Sequence, residues 1–335
     1  MRTGFRALAA LLLTLPAVAS TQGAGGAFRA PQHTSRNSPL FLVPDESTLR
    51  MRADAGMQIE QWRDPADDLA EHRKLTRALA TLQPQRAGTV DAYVISIAFD
   101  SDPVFAREAR VAGTVLGARY GAQGRTIVLA GSDGNAPSAL PRGTPETFGI
   151  ALARVAELMN RNEDVLVVYT TGHGTPYGLY YNDADNGYGA ISPNRLHDVL
   201  DQLGMRNRLL ILSACFSGVF VPRMQAENTA IVTAASADRS SFGCVAENDW
   251  TFFGDAMINH ALRSAQPLAS AFAEADRLVG GWETQLRVRP SQPQLFIGTG
   301  TSRWLGPLER RIPPDATQPV GRPALASTQA VGPGH

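Results

Sequence analysis

The stretch DVLVVYTTGHG, residues 164–174, decides how the rest of the chain is read. An apolar, β-branched run stops at Thr170-Thr171, and a histidine, His173, follows between two glycines. A run that is apolar on both faces has the composition of a strand inside a parallel sheet covered by helices on each side. Glycine next to the histidine lets the main chain approach a ligand closely and take unusual dihedrals. A lone histidine in a loop is ordinarily a solvent-facing polar residue, so its meaning depends on whether a second reactive group arrives at the same place.

Working outward, the same alternation repeats. Upstream lie AYVISIAF (92–99), an amphipathic helix VFAREARVAGTVLGARY (104–120), RTIVLA (125–130) and the loop GSDGNAPSALPRG (131–143). Thr144-Pro145-Glu146 then opens a helix with an N-cap, a proline at the first helical position and an acid at the positive dipole end. Downstream, Ser192-Pro193 opens a helix closed by Gly204, and RLLILSAC (208–215), TAIVTAA (229–235) and QLFIG (294–298) read as strands, the last preceded by helices near 251–263 and 269–278. Apolar strands alternating with helices predict a three-layer α/β domain, a mostly parallel six-stranded sheet with helices on both faces. In such folds ligands bind beyond the carboxyl ends of the strands. His173 lies just past the end of the third predicted strand and Cys215 ends the fourth. If those strands are neighbours, ~4.8 Å apart, both side chains emerge at one edge of the sheet.

Composition excludes some classes. The 335 residues carry 31 Lys+Arg against 31 Asp+Glu, a net charge of zero, which offers no electrostatic reason to bind nucleic acid or an anionic membrane. No HExxH or Walker A sequence occurs, arguing against a zincin or a P-loop enzyme. NDADNGYG (182–189) has calcium-like Asp spacing but lacks the Glu that closes an EF-hand loop, and Asn-Gly predicts a hairpin turn. His33, His72, His197, His260 and His335 have no motif context and read as surface residues. No metal or cofactor is expected.

The first 19 residues read as an export signal: Arg2 and Arg6, then ALAALLLTL, then Pro16 and an Ala-x-Ala site ending at Ala19. The expected compartment is periplasmic or extracellular, which permits disulfides. Residues 20–45 read as a flexible leader and 46–88 as a separate, partly helical segment that either restrains activity or packs as a permanent part of the domain. The domain proper spans 89–300, and 301–335 reads as a Pro/Ala/Gly-rich tail.

LLILSACFSG (209–218) repeats the oddity around His173: apolar, then small, then Cys215, then Phe-Ser-Gly. The thiol is either a packed core group or, since Ser213, Ala214 and Ser217 leave it reachable, a nucleophile whose thiolate an imidazole favours. TGHG and ILSACFSG at two strand ends, followed by VTAASADRSSFGC (232–244) and WTFFGDA (250–256), resemble the legumain family of cysteine peptidases, relatives of the caspases. The resemblance covers roughly residues 89–300 and looks closest to the exported bacterial members.

It implies a caspase-haemoglobinase fold and a peptidase acting on peptide or protein substrates, with Cys215 as nucleophile and His173 as general base and acid. The backbone N–H groups of Gly174 and Cys215 would form the oxyanion hole. Ser240 and Ser241 would line the substrate cleft, Asp255 would match the pocket carboxylate, and cleavage after Asn or Asp would follow. There are departures. Ser213 stands where the family carries a pocket acid two positions before the nucleophile, Arg107 is a loose counterpart of the basic pocket residue, and Asp102 is the nearest match to the residue that orients the histidine. Two cysteines in an exported chain ordinarily suggest a bridge, whereas the resemblance places Cys244 beside the cleft as a second free thiol. A transpeptidase or ligase using the same dyad, and a non-catalytic binding protein keeping the fold, remain the other two readings of the sequence. Oligomeric state is open.

Overall fold

The computed structural model describes residues 45–134 and 138–326. The export signal, the leader up to residue 44 and the last nine residues of the expected tail lie outside the described residues. In chain order the strands are β1 (Gln58–Glu60), β2 (Ala92–Ala98), β3 (Thr126–Leu129), β4 (Val165–Thr171), β5 (Gly174–Thr175), β6 (Gly178–Asp183), β7 (Gly187–Ile191), β8 (Arg208–Ser213), β9 (Thr229–Thr233) and β10 (Gln294–Ile297). The helices are α1 (Glu46–Asp54), α2 (Pro65–Ala80), α3 (Pro103–Arg119), α4 (Pro145–Leu158), α5 (Pro193–Gln202), the single turns α6 (Val221–Met224) and α7 (Phe252–Gly254), then α8 (Leu268–Leu286) and α9 (Ser302–Glu309).

The central sheet has six strands in the order β10-β9-β8-β4-β2-β3. All neighbours are parallel except β10, which closes the edge antiparallel to β9. This is the sheet the alternating pattern predicts. Its four inner strands, β9, β8, β4 and β2, are buried on both faces, with successive side chains pointing to opposite sides, while the edge strands β3 and β10 are partly exposed. Val94, Val167, Tyr169, Leu209, Ile211 and Val232 face a core with α3 and α8. Tyr93, Ile95, Ile97, Leu166, Val168, Leu210 and Leu212 face the other, with α4 and α5. The α4 N-terminus forms as read: Thr144 accepts the Thr147 N–H and Pro145 takes the first turn.

A second sheet, in the order β1-β7-β6-β5, grows from the loop after β4. Its β6–β7 hairpin turns at Asp183–Asn186, as the Asn-Gly signal implies. Its outer strand, β1, comes from the 46–88 segment and pairs antiparallel with β7. Arg63 of that segment lies 2.7 Å from Asp183, Tyr181 donates to Glu60 at 2.8 Å, and Leu75 and Leu82 enter the core against α4. The segment is therefore knitted into the domain by backbone pairing, ion pairs and apolar burial. Burial along α2 begins only at Glu71; Leu69, six residues before Leu75 and so turned to another side of the helix, stays half exposed.

The tail expected from residue 301 is corrected in its described part. Trp304, Leu305 and Leu308 of α9 are buried, with Trp304 Nε1 donating to Asn228 O at 3.2 Å, and Glu309 accepts the Leu268 N–H at the start of α8. Farther on, Val320 O accepts from Trp250 Nε1 and Asn259 Nδ2, and Ala324 is fully buried. Composition hid this because only three apolar residues, on one face of a short helix, make the contact.

Candidate active site

The register of β4 on β8 pairs Thr171 with Ser213, so His173 and Cys215 each lie two residues past the same rung of the sheet. The chain then turns sharply after the cysteine. Phe216 sits at φ 55°, a left-handed conformation unusual for a bulky side chain, and its N–H is held by Arg239 O at 2.8 Å. The histidine loop closes onto this turn: a Cβ on Gly174 would lie 1.9 Å from Cys215 O. Only glycine permits that approach. The glycine after His173 is thus required by the contact between the two loops.

Around the imidazole, Phe105 of α3 packs edge-on with ring centroids 5.2 Å apart. Nε2 lies 3.9 Å from Asp100 Oδ2. Asp100 is buried, accepts the Asp102 N–H at 2.8 Å and the Asn182 amide at 3.1 Å, and bridges to Asn182 through the backbone. Burial pushes its pKa up, partly offset by His173. The carboxylate in ion-pair range of the imidazole is therefore Asp100, not the expected Asp102. Asp102 stands at the N-cap position of α3 without a side-chain cap hydrogen bond, and its carboxylate lies within 4.8 Å of Asp100 and His173. Asp100 is the second residue past β2, whereas Asp102 immediately precedes α3.

The Cys215 thiol accepts the Ser241 N–H at 3.3 Å and approaches Ser241 O at 3.5 Å. Its pKa is held down to about 6, chiefly by a hydrogen bond from the Cys244 thiol, then by Ser241 N–H, the charge of His173 and the Ser240 hydroxyl, with burial opposing. Cys244 is pushed well up for the complementary reasons, its hydrogen bond to Cys215 and its burial. Both cysteines are free. The two cysteines line the same cleft.

The cleft at the sulfur is lined by Gly172, Ser213, Ala214, Cys215, Ser241, Phe242, Cys244 and Thr251. A larger cavity of 520 Å³ lies elsewhere, between β1, α4 and α5, and contains neither His173 nor Cys215. Ser241 lines the cleft as expected, and Ser240 is exposed beside it. Ser213 also lines it, but its hydroxyl donates to Glu108 Oε1 at 3.0 Å.

Two expected pocket residues are placed otherwise. The Asp255 carboxylate, fully buried, accepts from Asn259 at 2.8 Å and from Ala324 N–H at 2.8 Å and lies 3.5 Å from His260; it holds the C-terminal segment instead of lining the cleft. Arg107 donates to the carbonyls of Ala246 and Asn248 and lies 3.9 Å from Asp249, so it braces the loop carrying Cys244.

Glu108 was not singled out by its sequence context. It is fully buried and accepts from Tyr169 OH at 2.5 Å, Ser213 Oγ at 3.0 Å, and Thr251 N–H and Oγ1 at 2.9 Å each. A Cβ on Gly254 would fall 2.0 Å from its Oε2, so the glycine of the Gly-Asp pair makes room for this carboxylate. Its signal was periodicity: Glu108 is four residues from both Val104 and Ala112, on the buried stripe of α3.

Residues 147–299 match the Peptidase C13 family. That span contains His173, Gly174, Cys215, Ser240, Ser241 and Asp255 and begins after Asp100, Arg107 and Glu108. Among solved structures, caspase-1 from Spodoptera frugiperda is similar at 13% identity, covering 64% of this chain and 92% of that one, with a TM-score of 0.42. A search of curated proteins returned no match. The family match agrees with the legumain-like motifs and supports a cysteine peptidase, which implies peptide or protein substrates. No helix among the described residues is long and apolar enough to cross a membrane.

Proposed function

We propose that this chain, similar through its central region to the C13 cysteine peptidases, hydrolyses peptide bonds through a Cys215–His173 dyad. The observation that carries the reading is the closure of the histidine loop onto the cysteine loop, with Gly174 packed against Cys215 O at a distance no side chain allows. The β4–β8 register supports the reading, since His173 and Cys215 both follow the Thr171–Ser213 rung at the carboxyl edge of the sheet, where ligands bind in such folds. With Nε2 facing Asp100, Nδ1 is the ring nitrogen left for the substrate and the thiol.

The thiolate attacks the scissile carbonyl carbon and a tetrahedral oxyanion forms. The Gly174 and Cys215 N–H groups stabilise it; one such donor is typically worth ~3 kcal/mol in the transition state. His173 gives its proton to the departing amine as the C–N bond breaks, leaving a thioester. It then takes a proton from water, which attacks the thioester and frees the acid and the thiol. Asp100, anchored by Asn182, fixes the ring. Export through residues 1–19 to a periplasmic or extracellular compartment belongs to the same proposal, on the charged start, short apolar run and Ala-x-Ala site.

A cysteine-directed acyloxymethyl ketone peptide tests the dyad. Wild type is expected to be labelled at Cys215, while Cys215→Ala and His173→Ala each lose labelling and turnover with melting unchanged. Groups acting as one unit lose activity non-additively, so the double variant should be no worse than either single one. Substantial turnover by Cys215→Ala would overturn the assignment.

A further inference from the structure

The substrate side chain that precedes the cut must lie against the walls around Cys215 Sγ; three residues there carry hydroxyls, Ser213, Ser241 and Thr251, and two of these, Ser213 and Thr251, are bonded to Glu108. Their polarity is set from behind. Both hydroxyls donate to Glu108, at 3.0 and 2.9 Å. An ionised carboxylate can only accept. Tyr169 reinforces this from the core: burial and the Glu108 charge push its phenol well above its ordinary pKa, so it too remains a donor to Glu108. With their protons turned inward, Ser213 and Thr251 have only lone pairs left for the cleft. Thr251 Oγ1 already accepts the Gly254 N–H at 2.9 Å, so the better acceptor is Ser213.

Behind the hydroxyls lies a carboxylate with no cation in ion-pair range among the described residues. The nearest in sequence, Arg107, is engaged with Asp249 and the loop carbonyls. The part of the wall formed by Ser213 and Thr251 therefore offers acceptors, with the Glu108 carboxylate standing behind it.

Resting on the peptidase reading above, we propose that Glu108 determines specificity, acting through Ser213 and Thr251 to select a cationic side chain (Arg or Lys) before the cut, to admit a neutral amide less well and to reject a carboxylate. A cation offers donors to Ser213 and is attracted by Glu108; an amide offers donors alone. An Asp side chain would bring acceptors against acceptors and a like charge, a mismatch that discriminates strongly in buried sites.

The test uses the full chain and acyloxymethyl ketones differing only in the final residue: Arg, Lys, Asn, Leu or Asp. The second-order rate of Cys215 labelling is expected to fall in the order Arg and Lys, Asn, Leu, Asp, with Arg at least about tenfold above Asn. Glu108→Gln removes the charge and turns an amide N–H₂ toward the hydroxyls, so the Arg-to-Asn ratio should collapse by about tenfold or more. Because Glu108 is wholly buried, Ser213→Ala provides a second reading: the Arg-to-Leu ratio should fall several-fold. Asp or Leu labelling fastest in wild type, or ratios unchanged in both variants, overturns the proposal while leaving the dyad intact. Failure of every peptide probe where iodoacetamide still alkylates Cys215 overturns the proposal and the peptidase reading together.

Discussion

Glu108 and Asp255 are two fully buried carboxylates on the same side of the central sheet, and they do different work. Glu108, on α3, gathers Tyr169, Ser213 and Thr251, two of which form the wall of the cleft. Asp255, one residue past the short turn α7, gathers Asn259, His260 and the backbone of Ala324. Both acids are compensated for burial by donors, as buried charges must be. What separates them is where the donors lead. The partners of Glu108 end at the cysteine; those of Asp255 end at the C-terminal segment. A carboxylate within a motif thus takes its role from the groups bonded to it, and neighbours in sequence can belong to different parts of the molecule.

That contrast is open to direct attack. Glu108→Ala orphans donors from Tyr169, Ser213 and Thr251, each unsatisfied group costing about 1–3 kcal/mol, so denaturant titration should show a loss of about 3 kcal/mol or more. Asp255→Ala should cost about 1–3 kcal/mol, with the ranking of substrates unchanged and faster proteolysis within 313–326, read by mass spectrometry. An altered ranking in Asp255→Ala would dissolve the distinction between the two acids.

A smaller effect is expected at the histidine. Asp100→Ala removes the carboxylate 3.9 Å from Nε2 and should lower kcat by about ten- to a hundredfold with KM little changed. An equal change with Asp102→Ala and none with Asp100→Ala would restore Asp102 as the orienting residue.

The smallest effect concerns Cys244. The Cys215 thiolate predominates above about pH 6 and is lost as the pH falls through that value. Cys244 is the first cause of that depression, so Cys244→Ala should move the midpoint of Cys215 alkylation upward, toward ~8.5 for an ordinary thiol. Cys244→Ser keeps a donor and should move it less, with the enzyme active. Thiol titration of the native protein should count two thiols. A mapped Cys215–Cys244 bridge surviving mild reduction would remove the nucleophile.

Much of this molecule is legible along the chain. The apolar runs at 92–99, 164–170, 208–215 and 229–235 identify the parallel strands because a strand covered on both faces has no polar phase. His173 and Cys215 stand out because each ends such a run among glycine or small residues. The Thr144-Pro145-Glu146 start of α4 is equally local: the cap, the fixed φ and the dipole act within one turn.

Other features depend on residues far apart in sequence. Asp100 meets His173 across 73 positions and Glu108 meets Ser213 across 105, and neither pairing leaves a spacing rule behind. The 46–88 segment joins the domain through β1 on β7, a pairing of short strands that carries almost no sequence pattern. The anchoring of α9 includes the Trp304 indole N–H bonded to Asn228 O, just before β9 begins. The sequence by itself determined the sheet, the layering and which histidine and cysteine follow neighbouring strands, because those follow from hydrophobic period and from which side chain ends a strand. Only the tertiary structure decided which acid faces the histidine, which acid backs the cleft and which segments are integral, because a buried carboxylate is defined by donors that long-range packing brings to it.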